Sequence, residues 1–134
     1  MSIDANKEVV NRFFARITAQ DIGGTLALLA DSFEFWVAGD PQSFALGGSK
    51  NRTQYAELLR AFFPTFPNGF TFARKGMTAE GDRVAVEAEW IGETNRGKRY
   101  HNRYHILFDV RDNKIQSMRE YHDTLHAQEV LLGP

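Results

Sequence analysis

The chain has 134 residues, 43% apolar and 25% charged, with a formal charge of −1 and no cysteine. That length fits one domain over residues 1–134 with a real core, and the composition excludes a disordered chain. The lack of thiols excludes disulfides and thiolate metal sites, and the near-zero charge gives no ground for nucleic acid or an anionic membrane as partner.

The N-terminal segment MSIDANKEVVNRFF is charged and amphipathic, without the apolar run of a signal peptide. No stretch approaches the ~20 apolar residues of a membrane span, so a cytoplasmic protein is expected. Val9, Val10, Phe13, Phe14 and Ile17 recur at helical spacing and predict a helix over about residues 4–20, with Asp4 and Asn6 available as caps. Gly23-Gly24 punctuates, and Leu26, Leu28 and Leu29 predict a short second helix ending near Asp31. Phe33 to Val37 is aromatic and β-branched and reads as a strand. Ala38 to Lys50 reads as a loop. A third helix is expected from Arg52 to Phe63, carrying Tyr55, Leu58, Leu59, Phe62 and Phe63, with Pro64 as its stop.

After Pro67-Asn68-Gly69 the apolar period becomes two. Strands are expected at about 70–80, 83–93, 98–111 and 114–127, joined by turns at Gly81-Asp82, Asn95-Arg96-Gly97 and Asp112-Asn113. Helices followed by a meander make an α+β domain in which three N-terminal helices close one side of a strongly bent, mostly antiparallel sheet and leave a pocket.

The last hairpin carries most of the chemistry. With its turn centred between Asp112 and Asn113, Arg111 faces Lys114. Counting outward sets His105 opposite Glu120, Arg103 opposite His122, and Leu107 opposite Met118, all on one face. The other face carries Tyr100, Tyr104, Ile106, Phe108, Ile115, Arg119, Tyr121 and Leu125, and is largely apolar. Such a surface is expected to pack on another sheet, most simply in a homodimer. A three-residue loop would instead set His105 opposite Tyr121.

The order of elements resembles the SnoaL-like, ketosteroid-isomerase and polyketide-cyclase group of the NTF2-like superfamily over nearly the whole chain. Glu8-Val9, Asp21-Ile22 leading to Ala30-Asp31, Trp90 with Gly92, and Lys114 to Tyr121 carry the likeness. It implies a cone-shaped sheet around a deep pocket, commonly a dimer through the outer sheet face, and a His105 face that points inward. It also implies that the steroid isomerase machinery is missing. The general-base position falls at Val37, the oxyanion-hole tyrosine at Phe13, the protonated aspartate at His105, and the two supporting tyrosines at Leu29 and Leu59. Steroid isomerisation, which needs a carboxylate base and hydrogen-bond donors, is therefore rejected.

The remaining candidates are His105 as acid/base, Glu120 as its orienter, and Arg103 with His122 as anion stabilisers. Phe13, Phe35, Val37, Leu59, Val86, Trp90, Leu107 and Met118 are the expected apolar substrate walls. Glu120, His105 and His122 have the composition of a two-His, one-carboxylate metal triad, but neither spacing nor resemblance favours a metal, and no cofactor is implied. Gly47-Gly48-Ser49-Lys50 lacks P-loop spacing. Asp40 and Arg52 read as ordinary loop charges, and Tyr121 and Asp123 as rim or interface. The expected function is cofactor-independent proton transfer of cyclase, isomerase or dehydratase type on a hydrophobic or cyclic small molecule. The alternatives are a non-catalytic ligand-binding protein and an association module on the same fold.

Overall fold

The first helix, α1 (Ile3–Thr18), gathers Val9, Val10, Phe13, Phe14 and Ile17 on one side, and all five are buried, as an amphipathic stripe requires. The computed structural model describes residues 2–134. The cap of α1 is Ser2, which accepts a hydrogen bond from the Ala5 N–H at 3.0 Å. Asp4 and Asn6 lie inside the helix instead. Asn6 is buried and donates to the Gly81 carbonyl, which ties α1 to the far end of the sheet.

Helix α2 (Ile22–Ala27) is capped by Asp21 and stops well before Asp31, because Leu29 already pairs with Ile115 in the sheet. Strand β1 runs Leu29–Val37. The expected loop 38–50 contains strand β2 (Gly48–Asn51), paired antiparallel with β1. Gly-Ser-Lys-Asn has little strand propensity, and the neighbouring edge supplies the order that the residues do not. Asn51 and Gln54 then form a reciprocal capping box for α3 (Arg52–Phe62). A short 3₁₀ turn with Pro64 ends it.

Strands β3 (Phe70–Glu80), β4 (Arg83–Glu93), β5 (Arg99–Arg111) and β6 (Lys114–His122) complete a curved, open sheet of order β2-β1-β6-β5-β4-β3. β1 and β6 run parallel and the other neighbours are antiparallel. β6 ends at His122 and not near residue 127, because the Asp123 side chain caps a one-turn helix, α4 (Thr124–Ala127), which continues as a π-helical turn to Leu132. Among the described residues no helix is long and apolar enough to cross a membrane.

The apolar face of β5 is the inner one. Tyr100, Ile106, Phe108 and Val110 are fully buried, as are Val84 and Val86 beside them, and α1 packs across β3, β4, β5 and β6. The chain's own helices therefore cover the face expected to pack on a second sheet. That removes the sequence argument for a dimer.

The hairpin register also differs. Asp112 and Asn113 are both left-handed (φ 54° and 61°), as a two-residue I′ turn demands, and Arg111 does face Lys114. Val110 pairs with Ile115, but the next pair is Asp109 with Ser117, so Gln116 is an extra residue in a β-bulge. Beyond it every partner moves by one. His105 faces Tyr121, Ile106 faces Glu120, Tyr104 faces His122, and Phe108 faces Met118. The expected pairs His105–Glu120, Arg103–His122 and Leu107–Met118 do not form.

Gly92 explains its place in the pattern with Trp90. A Cβ there would come within 2.7 Å of the Phe66 ring and 3.0 Å of the Phe70 Cβ. Gly92→Val should destabilise the fold by about 1–3 kcal/mol through overpacking. Urea denaturation checks this, and an unchanged midpoint would contradict the packing.

Candidate functional site

Side chains from β1, β3, β4, β5 and β6 and from α1 and α3 line a cavity of about 70 Å³. That space is several times the roughly 10–15 Å³ one water needs. Its walls are mostly aromatic and aliphatic: Phe13, Ile17, Phe35, Val37, Leu46, Leu58, Leu59, Phe62, Phe72, Trp90 and Met118, with Leu131 from the C-terminal turn. Its polar side chains are Tyr55, Tyr100, Tyr104, Glu120 and His122. None of the lining residues is Lys or Arg. An apolar cavity with few convergent polar groups is the usual form of a small-molecule site.

Glu120 and His122 enter from β6 because the bulge turns the even-numbered residues beyond it inward. His122 Nδ1 lies 3.6 Å from Glu120 Oε2, and the two side chains are 4% and 13% exposed. Neither imidazole nitrogen has a hydrogen-bond partner among the described residues, and Trp90 Nε1 is likewise buried and unpaired. Burial disfavours the charged form of each group. It pushes the Glu120 carboxyl up to about 8 and the His122 imidazole down to about 4, against the opposing pull of Asp123. At neutral pH both are uncharged.

A second polar element runs along β5. Asn102, buried beside the cavity, donates from Nδ2 to the Asp123 carbonyl at 3.0 Å and to the Tyr100 hydroxyl at 2.9 Å. Its Oδ1 accepts from the Asp123 N–H at 3.1 Å. The Tyr100 and Tyr104 hydroxyls lie 2.5 Å apart. Burial holds both phenols well above their usual pKa, and that of Tyr55 as well, with Glu120 adding to the rise. His126 of α4 stacks on the Tyr100 ring at 5.3 Å and accepts from the His101 N–H at 3.0 Å. The C-terminal segment thus backs this part of the wall.

Of the sequence's candidate residues, Phe13, Phe35, Val37, Leu59, Trp90, Met118, Glu120 and His122 line the cavity. The other four do not. His105 and Arg103 are exposed on the outer face, where β4 sets Glu87 and Glu89 opposite them. Leu107 is half-buried on that face, opposite Arg119. Val86 points inward but is packed solid and does not reach the cavity. The reason is parity: odd residues of β5 face out along its whole length, while β6 changes parity at Gln116. Tyr100, Tyr104 and Asn102 went unrecognised as site residues. One signal was available. Tyr100, Tyr104, Ile106, Phe108 and Val110 of β5 are all even-numbered, with Leu107 as the apolar exception, whereas Ile115 and Met118 of β6 are three apart, which strict alternation forbids. Among the described residues no three His, Cys, Asp or Glu side chains gather as a metal site.

A family model described as a SnoaL-like domain matches residues 10–118. No curated protein matches the chain. Solved structures do. TerC, co-crystallised with polyporic acid, is 23% identical with a TM-score of 0.82, covering 96% of this chain and 98% of its own. An NTF2-like protein from Burkholderia xenovorans LB400 is 26% identical (TM-score 0.77; 97% and 98% covered). A putative SnoaL-like polyketide cyclase from Jannaschia sp. CCS1 is 20% identical (TM-score 0.81; 100% and 97% covered). With its curved sheet, its helix-closed cavity and the match over most of its length, this chain belongs to the SnoaL-like family within the NTF2-like fold.

Proposed function

We propose that the protein is a cofactor-independent enzyme, of isomerase, cyclase or dehydratase type, that moves a proton next to a carbonyl in an uncharged, hydrophobic ring compound. The observation that carries this reading is the Glu120–His122 pair, 3.6 Å apart in a mostly apolar cavity, with neither imidazole nitrogen hydrogen-bonded among the described residues. His122 takes the proton from the carbon beside the carbonyl, leaving an enolate. The neutral Glu120 carboxyl gives a proton to a second atom of the substrate, either a ring carbon or a departing hydroxyl. The imidazolium then returns its proton to the carboxylate, and the pair is reset. The cavity has no cationic wall, so a neutral substrate fits it better than a carboxylate does. TerC, crystallised with polyporic acid, supports a small cyclic ligand by analogy of fold.

This reading keeps one domain over residues 1–134 and a cytoplasmic location. It also keeps a homodimer through the outer sheet face, where Trp36 and the 45%-exposed Tyr121 lie 5.4 Å apart and Arg119 covers the Trp36 ring.

Solvent-deuterium exchange into the methyl group of acetophenone, followed by NMR, tests the chemistry. Exchange should fall below pH about 4, where His122 is protonated, and above about 8, where Glu120 ionises. His122→Phe and Glu120→Gln should each lower it by roughly 10²–10⁴-fold. Exchange at the rate of free solution in the wild type, or full exchange in both variants, would refute the proposal.

A further inference from the structure

The Asn102–Tyr100–Tyr104 chain has a direction. The Asp123 backbone fixes the Asn102 amide, because its N–H can meet only Oδ1 and its carbonyl only Nδ2. Nδ2 therefore donates its other proton to the Tyr100 oxygen, 2.9 Å away. The Tyr100 hydroxyl is fully buried and has Tyr104 as its remaining partner among the described residues. Both tyrosines line the cavity, but Tyr100 has no accessible surface whereas Tyr104 keeps 7%, so if Tyr104 donated to Tyr100 the Tyr100 proton would be left buried with no acceptor, an arrangement folded proteins avoid. Tyr100 thus donates to Tyr104. The Tyr104 proton then has no acceptor among the described residues, and Tyr104 lines the cavity.

From this we infer that Tyr104 is the donor that binds the carbonyl oxygen of the ligand, with Tyr100 and Asn102 as positioning residues that polarise it through the chain of hydrogen bonds. The inference rests on the proton-transfer reading for its biological sense, since an enolate oxygen needs such a donor, but its geometry is independent of Glu120 and His122. The family resemblance sets the donor tyrosine at position 13, on α1. That position holds Phe13, and here the donor comes from β5. The ligand class follows: an uncharged aromatic or alicyclic compound with a ketone or comparable acceptor, and not a plain hydrocarbon of the same shape. Each hydrogen bond in the chain strengthens the next, so Tyr104 should be a better donor than an isolated phenol.

Acetophenone and α-methylstyrene test this, because they differ in having C=O or C=CH₂ at one position. The wild type should bind the ketone about tenfold more tightly, the value of one added hydrogen bond. Its bound carbonyl stretch should lie below that of the ketone in hydrocarbon solvent. Tyr104→Phe should erase both effects while still binding α-methylstyrene, and Tyr100→Phe should restore the carbonyl band part of the way. A purely structural role for Tyr100 would not move that band. Equal binding of the two probes by the wild type, no binding of the ketone, or a Tyr104→Phe variant that keeps the preference would overturn the assignment. Should Tyr104→Phe not fold, the carbonyl band in Tyr100→Phe decides, and an unshifted band counts against the chain. A wild type that prefers the ketone without exchanging its protons would sink the proton-transfer reading and leave the donor assignment standing. Exchange without preference would do the reverse.

Discussion

Replacing Glu120 by glutamine should make the protein more stable in alkaline solution. Burial raises the carboxyl's folded-state pKa to about 8, against 4.5 for an ordinary glutamate. Between those values the folded chain holds a proton that the unfolded chain has released. Stability is therefore fully present below the unfolded value and is lost as pH rises, by up to about 1.4 kcal/mol per unit. Above about 8 the loss is complete. Partial solvation of the side chain and local relaxation should leave a total of about 2–4 kcal/mol. Glutamine has nearly the same shape and no proton to lose, so its stability curve should stay flat from about pH 6.5 to 9 while that of the wild type falls. His122 acts at the other end. Its pKa is lowered from 6.5 to about 4, so stability from this group is lost as pH falls through that window, in both proteins. Urea unfolding at several pH values measures the difference, and parallel curves would mean that the carboxyl is not held in its neutral form.

Phe108→Ala should be among the most damaging single changes. The ring is fully buried under α1 and meets Phe13 and Phe14 edge-on, with centroids 5.4 and 6.0 Å away. Removing it takes away the apolar transfer term and leaves a void between helix and sheet, together about 3–5 kcal/mol. For a chain of this size that corresponds to a melting temperature lower by about 10–20 °C. His105→Ala, three residues away on the same strand but on the outer face, should change stability by no more than about 0.5 kcal/mol. Thermal denaturation of the two variants side by side checks which face of β5 is the core. Comparable losses would mean that the faces are assigned the wrong way round.

Much of this architecture was legible in the residues. The stripe of α1, the change of period after Gly69 and the I′ turn at Asp112-Asn113 are local signals, and β3 and β4 begin and end where alternation sets them. β2 was hidden because its order comes from β1 and not from its own residues. The end of β6 was hidden because Tyr121, His122 and Leu125 continue an alternating pattern that the Asp123 cap interrupts. The apolar cavity walls were readable as large apolar residues on inward positions. Of the polar groups, Glu120 and His122 were named from the sequence but Tyr100, Tyr104 and Asn102 were not, since they depend on which face of β5 is the inner one. On that point the single unpaired residue Gln116 outweighs the pattern of the rest of the hairpin. The hydrophobic rule alone, applied to Tyr100, Tyr104, Ile106, Phe108 and Val110, gives the right face.

The extra residue in β6 has a consequence for how such chains are aligned. A strand with Gln116 looped out and a strand one residue shorter without the bulge present the same side chains to the interior from Met118 onward. Lineages can therefore gain or lose a residue between the hairpin tip and the acid without turning the acid outward. Residue counts taken from the tip will exchange lumen for exterior, whereas counts taken from Met118 will not.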